Sequence, residues 1–181
     1  NPCTESLNHI SYTVGEYKAK IEHLRAVRPD ISVSSDFIVG FPGETEEDFE
    51  RTLALVDDIG FDHSYSFIYS ARPGTSAVAL TDASTHEEKR QRLERLQQHL
   101  NQHAQRLSRQ MLHTEQAVLV EGQSRRNPNE LTGRTENNRR VYFVGRAGLV
   151  GQVVKVQILE LFTNSLRGTY VEPGRDVRSA S

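Results

Sequence analysis

Residues 40–45, with the sequence Gly-Phe-Pro-Gly-Glu-Thr, have types and spacing suited to holding a cofactor. Glycines let the backbone approach a ligand closely, and the helix predicted to begin after Thr45 presents free N–H groups with a partial positive charge. The candidate cofactor-binding residues in this run are Gly40, Phe41, Gly43 and Glu44. An ordinary strand-to-helix turn, with Glu44 favouring the helix dipole, explains the same residues, and both interpretations remain open.

Arg72 is a further candidate cofactor-binding residue, because it lies just beyond a predicted strand in a loop with Pro73 and Gly74. Its guanidinium group has the geometry to pair with a carboxylate or a phosphate. The alternative is a salt bridge within the domain that fixes this loop. The sequence does not decide between the two.

Arginines and asparagines alternate in the turns and strand ends of the second half of the chain. This pattern places phosphate-binding cations beside amides that can read bases, with Tyr142 and Phe143 as a stacking surface. The candidate RNA-binding residues are Arg125, Arg126, Arg134, Asn137, Arg139 and Arg140. The alternative is a charged outer face around an aromatic core.

The sequence predicts no complete metal site and no assignable catalytic residue. Its single cysteine, Cys3, cannot by itself hold zinc or an iron–sulfur cluster. His99 and His103 are four residues apart on a predicted helix, but two ligands leave such a site incomplete, so a solvated helix face is favoured.

Composition indicates a globular protein of one or two domains, with 181 residues and 36% hydrophobic content. No apolar run approaches the roughly 18 residues of a membrane span, so we expect a cytoplasmic protein. The net charge of -2 hides an asymmetry: residues 1–112 contain 17 acidic and 12 basic side chains, whereas residues 113–175 contain 6 and 9. A basic second half suggests an anionic partner.

The elements that must position these residues are predicted from capping boxes and apolar periodicity. Thr13 with Glu16 begins one helix, Thr45 with Asp48 begins a second, and a long charged helix follows Thr85. Strands are predicted over residues 31–39 and 65–69, the first as a strand covered on both faces. Strand, turn, helix and strand in this order predict a βαβ unit of a parallel sheet or barrel.

After the long helix, the sequence consists of short β-rich runs separated by glycine, asparagine and proline. Five strands are predicted, over residues 115–122, 131–135, 140–145, 152–160 and 166–171. Five short strands in about 60 residues are typical of a small barrel.

Four sequence runs closely resemble the methylthiotransferase branch of the radical S-adenosylmethionine enzymes. Two are Asp-Phe-Ile-Val-Gly-Phe-Pro-Gly-Glu-Thr at residues 36–45 and Phe-Ile-Tyr-Ser-Ala-Arg-Pro-Gly-Thr at residues 67–75. A third is Tyr12-Thr13 with Glu16-Tyr17. The fourth, Leu-Val-Glu-Gly at 119–122 with Gly-Arg-Thr-Glu-Asn-Asn-Arg at 133–139, is similar to the TRAM module that ends these proteins.

The resemblance implies an α/β fold in which residues 1–112 form part of a radical-SAM, TIM-like barrel with a linker helix. A small all-β, OB-like TRAM barrel follows over residues 113–173, and residues 174–181 form a disordered tail. The implied reaction adds a methylthio group to N6-isopentenyladenosine near the anticodon of a tRNA. The implied cofactors are S-adenosylmethionine and two [4Fe-4S] clusters, and the implied partners are the tRNA anticodon stem-loop and a missing N-terminal half.

The chain departs from the family pattern because it lacks the CxxxCxxC cluster motif and the three further cysteines of the N-terminal cluster domain. We therefore expect it to be inactive alone. Two alternatives stay open: an RNA-binding module or inactive fragment, and an enzyme acting on a ribosomal-protein aspartate. Part of a barrel is also expected to leave open strand edges and an uncovered apolar surface.

Overall fold

The computed structural model describes residues 13–82 and 84–172. Contacts divide the chain into a first unit that ends at Ala104 and a second that begins at Gln105. The predictions for Cys3, Tyr12 and the tail after residue 173 lie outside the described residues.

Capping boxes start the helices of the first unit. Helix α1 (Val14–Val27) begins after Thr13, whose hydroxyl accepts from the Glu16 N–H at 3.3 Å while its own N–H donates to the Glu16 carboxylate at 2.7 Å. Helix α2 (Glu46–Ile59) begins in the same way and ends at Gly60 with φ 64°. Helix α3 (His86–Gln110) runs through the division between the two units. These helix starts confirm the predicted capping boxes.

Strands β1 (Asp36–Val39) and β2 (Tyr65–Ile68) pair in parallel, and α2 connects them in the predicted βαβ order. The first strand is shorter than predicted, because residues 31–35 do not pair as a strand. Asp62 accounts for this: its N–H donates to the Val33 carbonyl at 2.7 Å and its carboxylate accepts from the Ser32 hydroxyl at 2.7 Å. Those contacts hold the approach to β1 as an irregular segment.

The two faces of this small sheet differ. Val39 and Phe37 point toward the core formed with Phe49, Val56 and Leu96. The prediction of a strand covered on both faces is wrong for the described residues, since Ile38, Phe67 and Tyr65 on the other face are 59%, 53% and 72% exposed. The predicted uncovered apolar surface is therefore confirmed.

The second unit is a closed barrel. Its strands are β3 (Glu115–Gln123), β4 (Glu130–Thr135), β5 (Arg140–Val144), β6 (Val153–Phe162) and β7 (Ser165–Tyr170), close to the predicted runs. They pair in the order β3-β4-β5-β7-β6, with β6 returning to β3, and only β5 and β7 run parallel. Inward-facing residues such as Val118, Phe143 and Ile158 form its core.

Gly168 shows how tightly neighbouring strands approach in this barrel. A Cβ atom at this position would lie 2.2 Å from the Gln157 carbonyl oxygen and 2.7 Å from Val156 Cγ1. A side chain is therefore excluded from this inward position, where β7 pairs with β6.

A TIM-like barrel is not present in the described part of the first unit, which contributes one parallel pair, β1 and β2. The predicted small barrel is confirmed. A larger barrel needs further strands beside this pair.

Candidate cofactor turn and nucleic-acid interface

The turn after β1 is held by its own carboxylate. Gly40 has φ 70°, and its N–H donates to Glu44 Oε2 at 2.6 Å. The Arg92 guanidinium donates from Nη1 to the same Oε2 and to the Glu44 carbonyl oxygen, each at 3.1 Å. Glu44 and Arg92 are both buried. Within the chain, the predicted cofactor ligand Glu44 therefore braces the turn.

Packing against α3 explains why residue 40 is glycine. A Cβ atom there would lie 2.6 Å from Cγ of Lys89, whose stem covers the turn. The Lys89 ammonium group pairs with Asp82, and this hydrogen bond lowers the pKa of the Asp82 carboxyl. The glycine is required by an intramolecular contact as well as by its left-handed backbone.

Glu46 ties the start of α2 to α3. Its carboxylate accepts from Arg95 at 2.5 Å and from Arg92 at 3.1 Å, and these two guanidinium groups lower the pKa of the Glu46 carboxyl. The sequence motifs did not indicate that Lys89 and Arg92 hold the turn. The available signal was their helical spacing to Leu96, which places two cations on the apolar stripe of α3.

The remaining predicted cofactor ligands lie more openly at the carboxyl ends of the parallel strands. Gly43 and Arg72 are exposed, and Arg72 has no side-chain partner among the described residues. Phe41 is half-buried and meets Tyr69 edge-on at 5.0 Å between ring centroids. The Tyr69 hydroxyl is buried, and within the described chain it has no hydrogen-bond partner. Buried polar groups are normally hydrogen-bonded, so this hydroxyl is an exception among the described residues.

The predicted histidine pair forms a helix-to-helix contact. Asp57 Oδ1, on α2, lies 3.0 Å from His99 Nδ1 and 2.9 Å from His103 Nε2 on α3. Burial opposes ionisation of Asp57, but the hydrogen bonds from His99 and His103 outweigh it and lower the pKa of the carboxyl. This arrangement replaces the predicted solvated helix face, since His103 is buried.

The described residues contain no group of three or more histidine, cysteine, aspartate or glutamate side chains arranged to hold a metal ion. Nor is any helix in residues 13–82 and 84–172 long and apolar enough to cross a membrane.

The six predicted RNA-binding residues separate into two groups at opposite ends of the β3–β4 hairpin. Arg125 and Arg126 are exposed in the loop after β3, and neither side chain has a partner in the described chain. The Ser124 hydroxyl shapes this loop by accepting from the N–H groups of Arg126 and Asn127. This loop carries two uncompensated positive charges.

The other group surrounds the β4–β5 turn and is mostly engaged. Arg139 is buried and its Nε donates to the Ser108 hydroxyl at 2.8 Å. Asn137 accepts from the Thr135 hydroxyl at 2.6 Å and lies 3.5 Å from the Met111 sulfur. Both side chains therefore hold the turn in place, which the sequence pattern did not indicate.

Arg134 and Arg140 lie on the outer surface beside this turn. Arg134 donates to Glu121 at 3.1 Å and to the Asn138 side chain at 2.9 Å. Arg140 is exposed and has no partner among the described residues. Within this turn group, Arg140 is the most accessible of the predicted RNA-binding cations.

The two aromatic residues predicted to form a stacking surface, Tyr142 and Phe143, face opposite sides of β5. Phe143 is 1% exposed and belongs to the barrel core, so it cannot stack on a base. Tyr142 points to the outer surface, where it pairs with Thr132 of β4 and Arg167 of β7. The strand period of two explains why adjacent aromatic residues face opposite ways.

A second aromatic residue, which the sequence pattern did not indicate, lies on this surface. Phe162 is 48% exposed, and the Arg167 guanidinium carbon lies 5.3 Å above its ring centroid. Glu130 accepts from Arg167 Nε at 3.3 Å and steadies this arrangement. The parallel pairing of β5 with β7 brings Arg167 to Tyr142, and no local sequence signal predicts that pairing.

Comparisons with known proteins identify relatives of this chain and a family for its barrel. Residues 109–171 match the TRAM domain family. The protein of Stenotrophomonas maltophilia K279a named tRNA-2-methylthio-N(6)-dimethylallyladenosine synthase is 62% identical over 160 residues, covering 88% of this chain and 34% of that protein. Proteins of the same name in Xylella fastidiosa M12 and Xanthomonas euvesicatoria pv. vesicatoria 85-10 are each 60% identical over 157 residues, covering 87% of this chain and 32% of theirs.

The chain thus spans about a third of the length of the curated relatives it matches. The matched part includes the TRAM domain that forms the closed barrel. This chain therefore contains a TRAM domain and is a relative, over most of its length, of the C-terminal part of the tRNA-2-methylthio-N(6)-dimethylallyladenosine synthases.

Proposed function

We propose that this chain is the C-terminal portion of a tRNA methylthiotransferase that adds a methylthio group to N6-isopentenyladenosine near the anticodon by radical S-adenosylmethionine chemistry. The observation that carries the proposal is the 60–62% identity to synthases of that name over 87–88% of the chain. These relatives are named for a modified tRNA adenosine, which favours tRNA over a ribosomal-protein substrate. Action on tRNA implies a cytoplasmic protein.

In this proposal the first unit supplies part of the wall of a TIM-like barrel. Its parallel pair follows βαβ order, and one face of that pair is apolar and exposed. Additional strands and the cluster domain come from the N-terminal part of such a protein that this chain does not span, because the relatives are about three times as long as the matched segment. We expect these additional strands to cover the exposed face and pair with the open edges of β1 and β2.

The cofactors of the proposed reaction are S-adenosylmethionine and two [4Fe-4S] clusters, which together supply a 5′-deoxyadenosyl radical and the methylthio group. The clusters do not fit this chain, since its one cysteine cannot supply their thiolate ligands. S-adenosylmethionine is better suited to the carboxyl ends of the parallel strands, where Gly43 and Arg72 are exposed and Phe41 is half-buried. Glu44 and Gly40 support that edge from within.

In this proposal the second unit binds the RNA. The TRAM barrel carries exposed arginines in the β3–β4 loop and on β5. Positive charge at these positions attracts the phosphate backbone, and the anticodon stem-loop is the proposed ligand.

A chimera tests the proposal. The matching segment of the Stenotrophomonas relative is replaced by this chain and the clusters are reconstituted. The chimera is then incubated without oxygen with S-adenosylmethionine, a one-electron reductant and tRNA that carries N6-isopentenyladenosine, and the tRNA nucleosides are analysed by mass spectrometry. We expect 2-methylthio-N6-isopentenyladenosine to form. A chimera that folds and carries both clusters but leaves the tRNA unmodified contradicts the proposal. The matched control is the same chimera without residues 105–181, which we expect to lose modification through loss of RNA binding.

A second candidate function is an RNA-binding module that acts without the enzyme. The closed barrel favours it, because that unit has its own core and no unpaired strand edge. RNA binding by the chain together with an inactive chimera would select this alternative.

A further inference from the structure

Two arginines face each other on the outer surface of the barrel. Arg134 of β4 and Arg140 of β5 are direct cross-strand partners. Like charges in this position destabilise a strand pair unless an anion compensates them. Glu121 pairs with Arg134, whereas Arg140 has no partner in the described part of the chain. The pair therefore leaves one positive charge available to an anionic ligand.

Tyr142 lies on the same face of β5, two residues from Arg140 and so about 7 Å along the strand. Arg167 of β7 lies opposite Tyr142, and Phe162 lies beneath the Arg167 guanidinium. Two aromatic rings and a fixed guanidinium plane thus follow the arginine pair across β4, β5, β7 and β6. We name this surface the stacking stripe; its members are Arg134, Arg140, Tyr142, Arg167 and Phe162.

We propose that the stacking stripe binds unpaired bases of single-stranded RNA, with Tyr142 and Phe162 as stacking residues and Arg140 on a phosphate. The proposal rests on the RNA-binding role proposed above and identifies the surface that performs it. Aromatic rings beside cations on a small β-barrel bind single-stranded RNA by stacking on its bases, whatever the identity of the base.

The charge of the stripe separates it from the β3–β4 loop. Glu121 and Glu130 pair with Arg134 and Arg167, and Glu160 lies 3.9 Å from Arg167. Three carboxylates therefore nearly balance the three arginines of the stripe. Binding there depends on stacking more than on phosphate attraction, whereas Arg125 and Arg126 act through charge. The two surfaces are expected to differ in salt dependence.

Fluorescence anisotropy of the full 181-residue chain with a labelled oligoadenylate of about eight nucleotides tests this assignment. Tyr142→Leu and Phe162→Leu are each expected to weaken binding roughly tenfold with an unchanged salt slope, because they remove a ring but keep apolar volume. Tyr142→Phe is the matched control and should bind as the unmodified chain does. The double variant Arg125→Ala with Arg126→Ala should instead flatten the salt dependence. Thermal melting confirms that each variant is folded.

A tryptophan reporter gives a readout that a merely structural role would not move. The chain contains no tryptophan, so Tyr142→Trp introduces a single indole. We expect oligoadenylate to quench its fluorescence by stacking, and an abasic ribose-phosphate chain of the same length to leave it unchanged. Val153→Trp is the control, because Val153 is exposed on β6 beside β3, away from β5.

The outcomes distinguish the two proposals. Binding that survives both leucine variants but is lost in the Arg125/Arg126 variant overturns the proposal for the stacking stripe. It leaves the proposed RNA binding by the second unit intact. If the unmodified chain binds neither oligoadenylate nor an anticodon stem-loop, both the proposed RNA binding by the second unit and the proposal for the stacking stripe are overturned. Displacement of the RNA by polyglutamate with equal quenching of Trp at position 142 identifies a general anion or acidic-peptide surface and overturns base stacking.

Discussion

In the barrel, each of the five strands has hydrogen-bonded neighbours on both sides, and inward-facing side chains fill the interior. In the first unit, β1 and β2 have only each other among the described residues, and apolar side chains on one face are exposed. Both units have buried cores and capped or paired elements. Among the described residues they differ in whether the sheet is closed, because the parallel pair leaves strand edges unpaired and the barrel does not.

Ion pairs compensate part of this difference. Buried Arg92 of α3 pairs with Glu44 in the turn after β1, whereas buried Lys89 pairs with Asp82. Asp57 on α2 accepts from two histidines of α3. In the barrel, the backbone ladder closes on itself. In the first unit, polar contacts between helices contribute stability that the barrel obtains from the closure of its sheet.

The largest effect is expected from Phe143→Ala in the barrel core. Removing this buried ring costs about 3–5 kcal/mol of the free energy of unfolding, which is enough to unfold a small barrel. Amide NMR signals during urea titration should show the second unit lost first while signals from residues 13–104 persist. Simultaneous loss of both sets of signals would contradict a self-contained barrel.

Arg92→Met is expected to cost about 3 kcal/mol in the first unit, because it leaves the buried Glu44 carboxylate without its cation. Arg95→Met is the matched control. Its ion pairs with Glu46 and Glu50 are exposed, so the cost should be within about 1 kcal/mol. Urea unfolding followed by circular dichroism measures both, and equal costs would refute the bracing role of Arg92.

Asp57→Asn is expected to change the pH dependence of the first unit. The pKa of Asp57 is lowered in the folded state, so its stabilising contribution is present above its usual value of 3.8 and is lost as pH falls through the folded pKa. The half-exposed carboxylate limits this contribution to about 0.5 kcal/mol. Urea midpoints between neutral pH and the acid range should fall more steeply for the unmodified chain than for the variant; parallel curves would argue against it.

The smallest effect on stability is expected on the uncovered face of the open sheet. Phe67→Thr should change the free energy of unfolding by less than about 0.5 kcal/mol and reduce self-association measured by sedimentation velocity. Val39→Thr, on the covered face of β1, buries a hydroxyl and should cost about 1–3 kcal/mol. Comparable losses for the two variants would show that the exposed face is packed in solution.

Local patterns predicted most of the fold. The pairs Thr13–Glu16 and Thr45–Asp48 marked helix starts, and the five barrel strands lay close to the β-rich runs. These features are local because a capping bond spans three residues and strand alternation has a period of two. The start of β1 was wrong because Asp62, distant in sequence, binds the residues before it.

The candidate site was predicted less well. Residue types pointed to particular segments, but within them Arg139 and Glu44 prove to hold turns, and Phe143 lies in the core. Each error has the same cause: a charged, amide or aromatic side chain serves an internal contact or an external ligand equally well until its partners are known. Arg167 and Phe162 were missed because the β5–β7 pairing that presents them is not local.

The sequence by itself determined the order of helices and strands, the division into an α/β part and a β part, and the family resemblance, because these depend on short-range periodicity, capping and contiguous motifs. Tertiary structure decided which arginines face solvent, which carboxylates are already paired and which aromatic ring can stack. Those properties depend on contacts between residues far apart in the chain, such as Glu44 with Arg92 and Tyr142 with Arg167, and such contacts exist only once the strands and helices have packed.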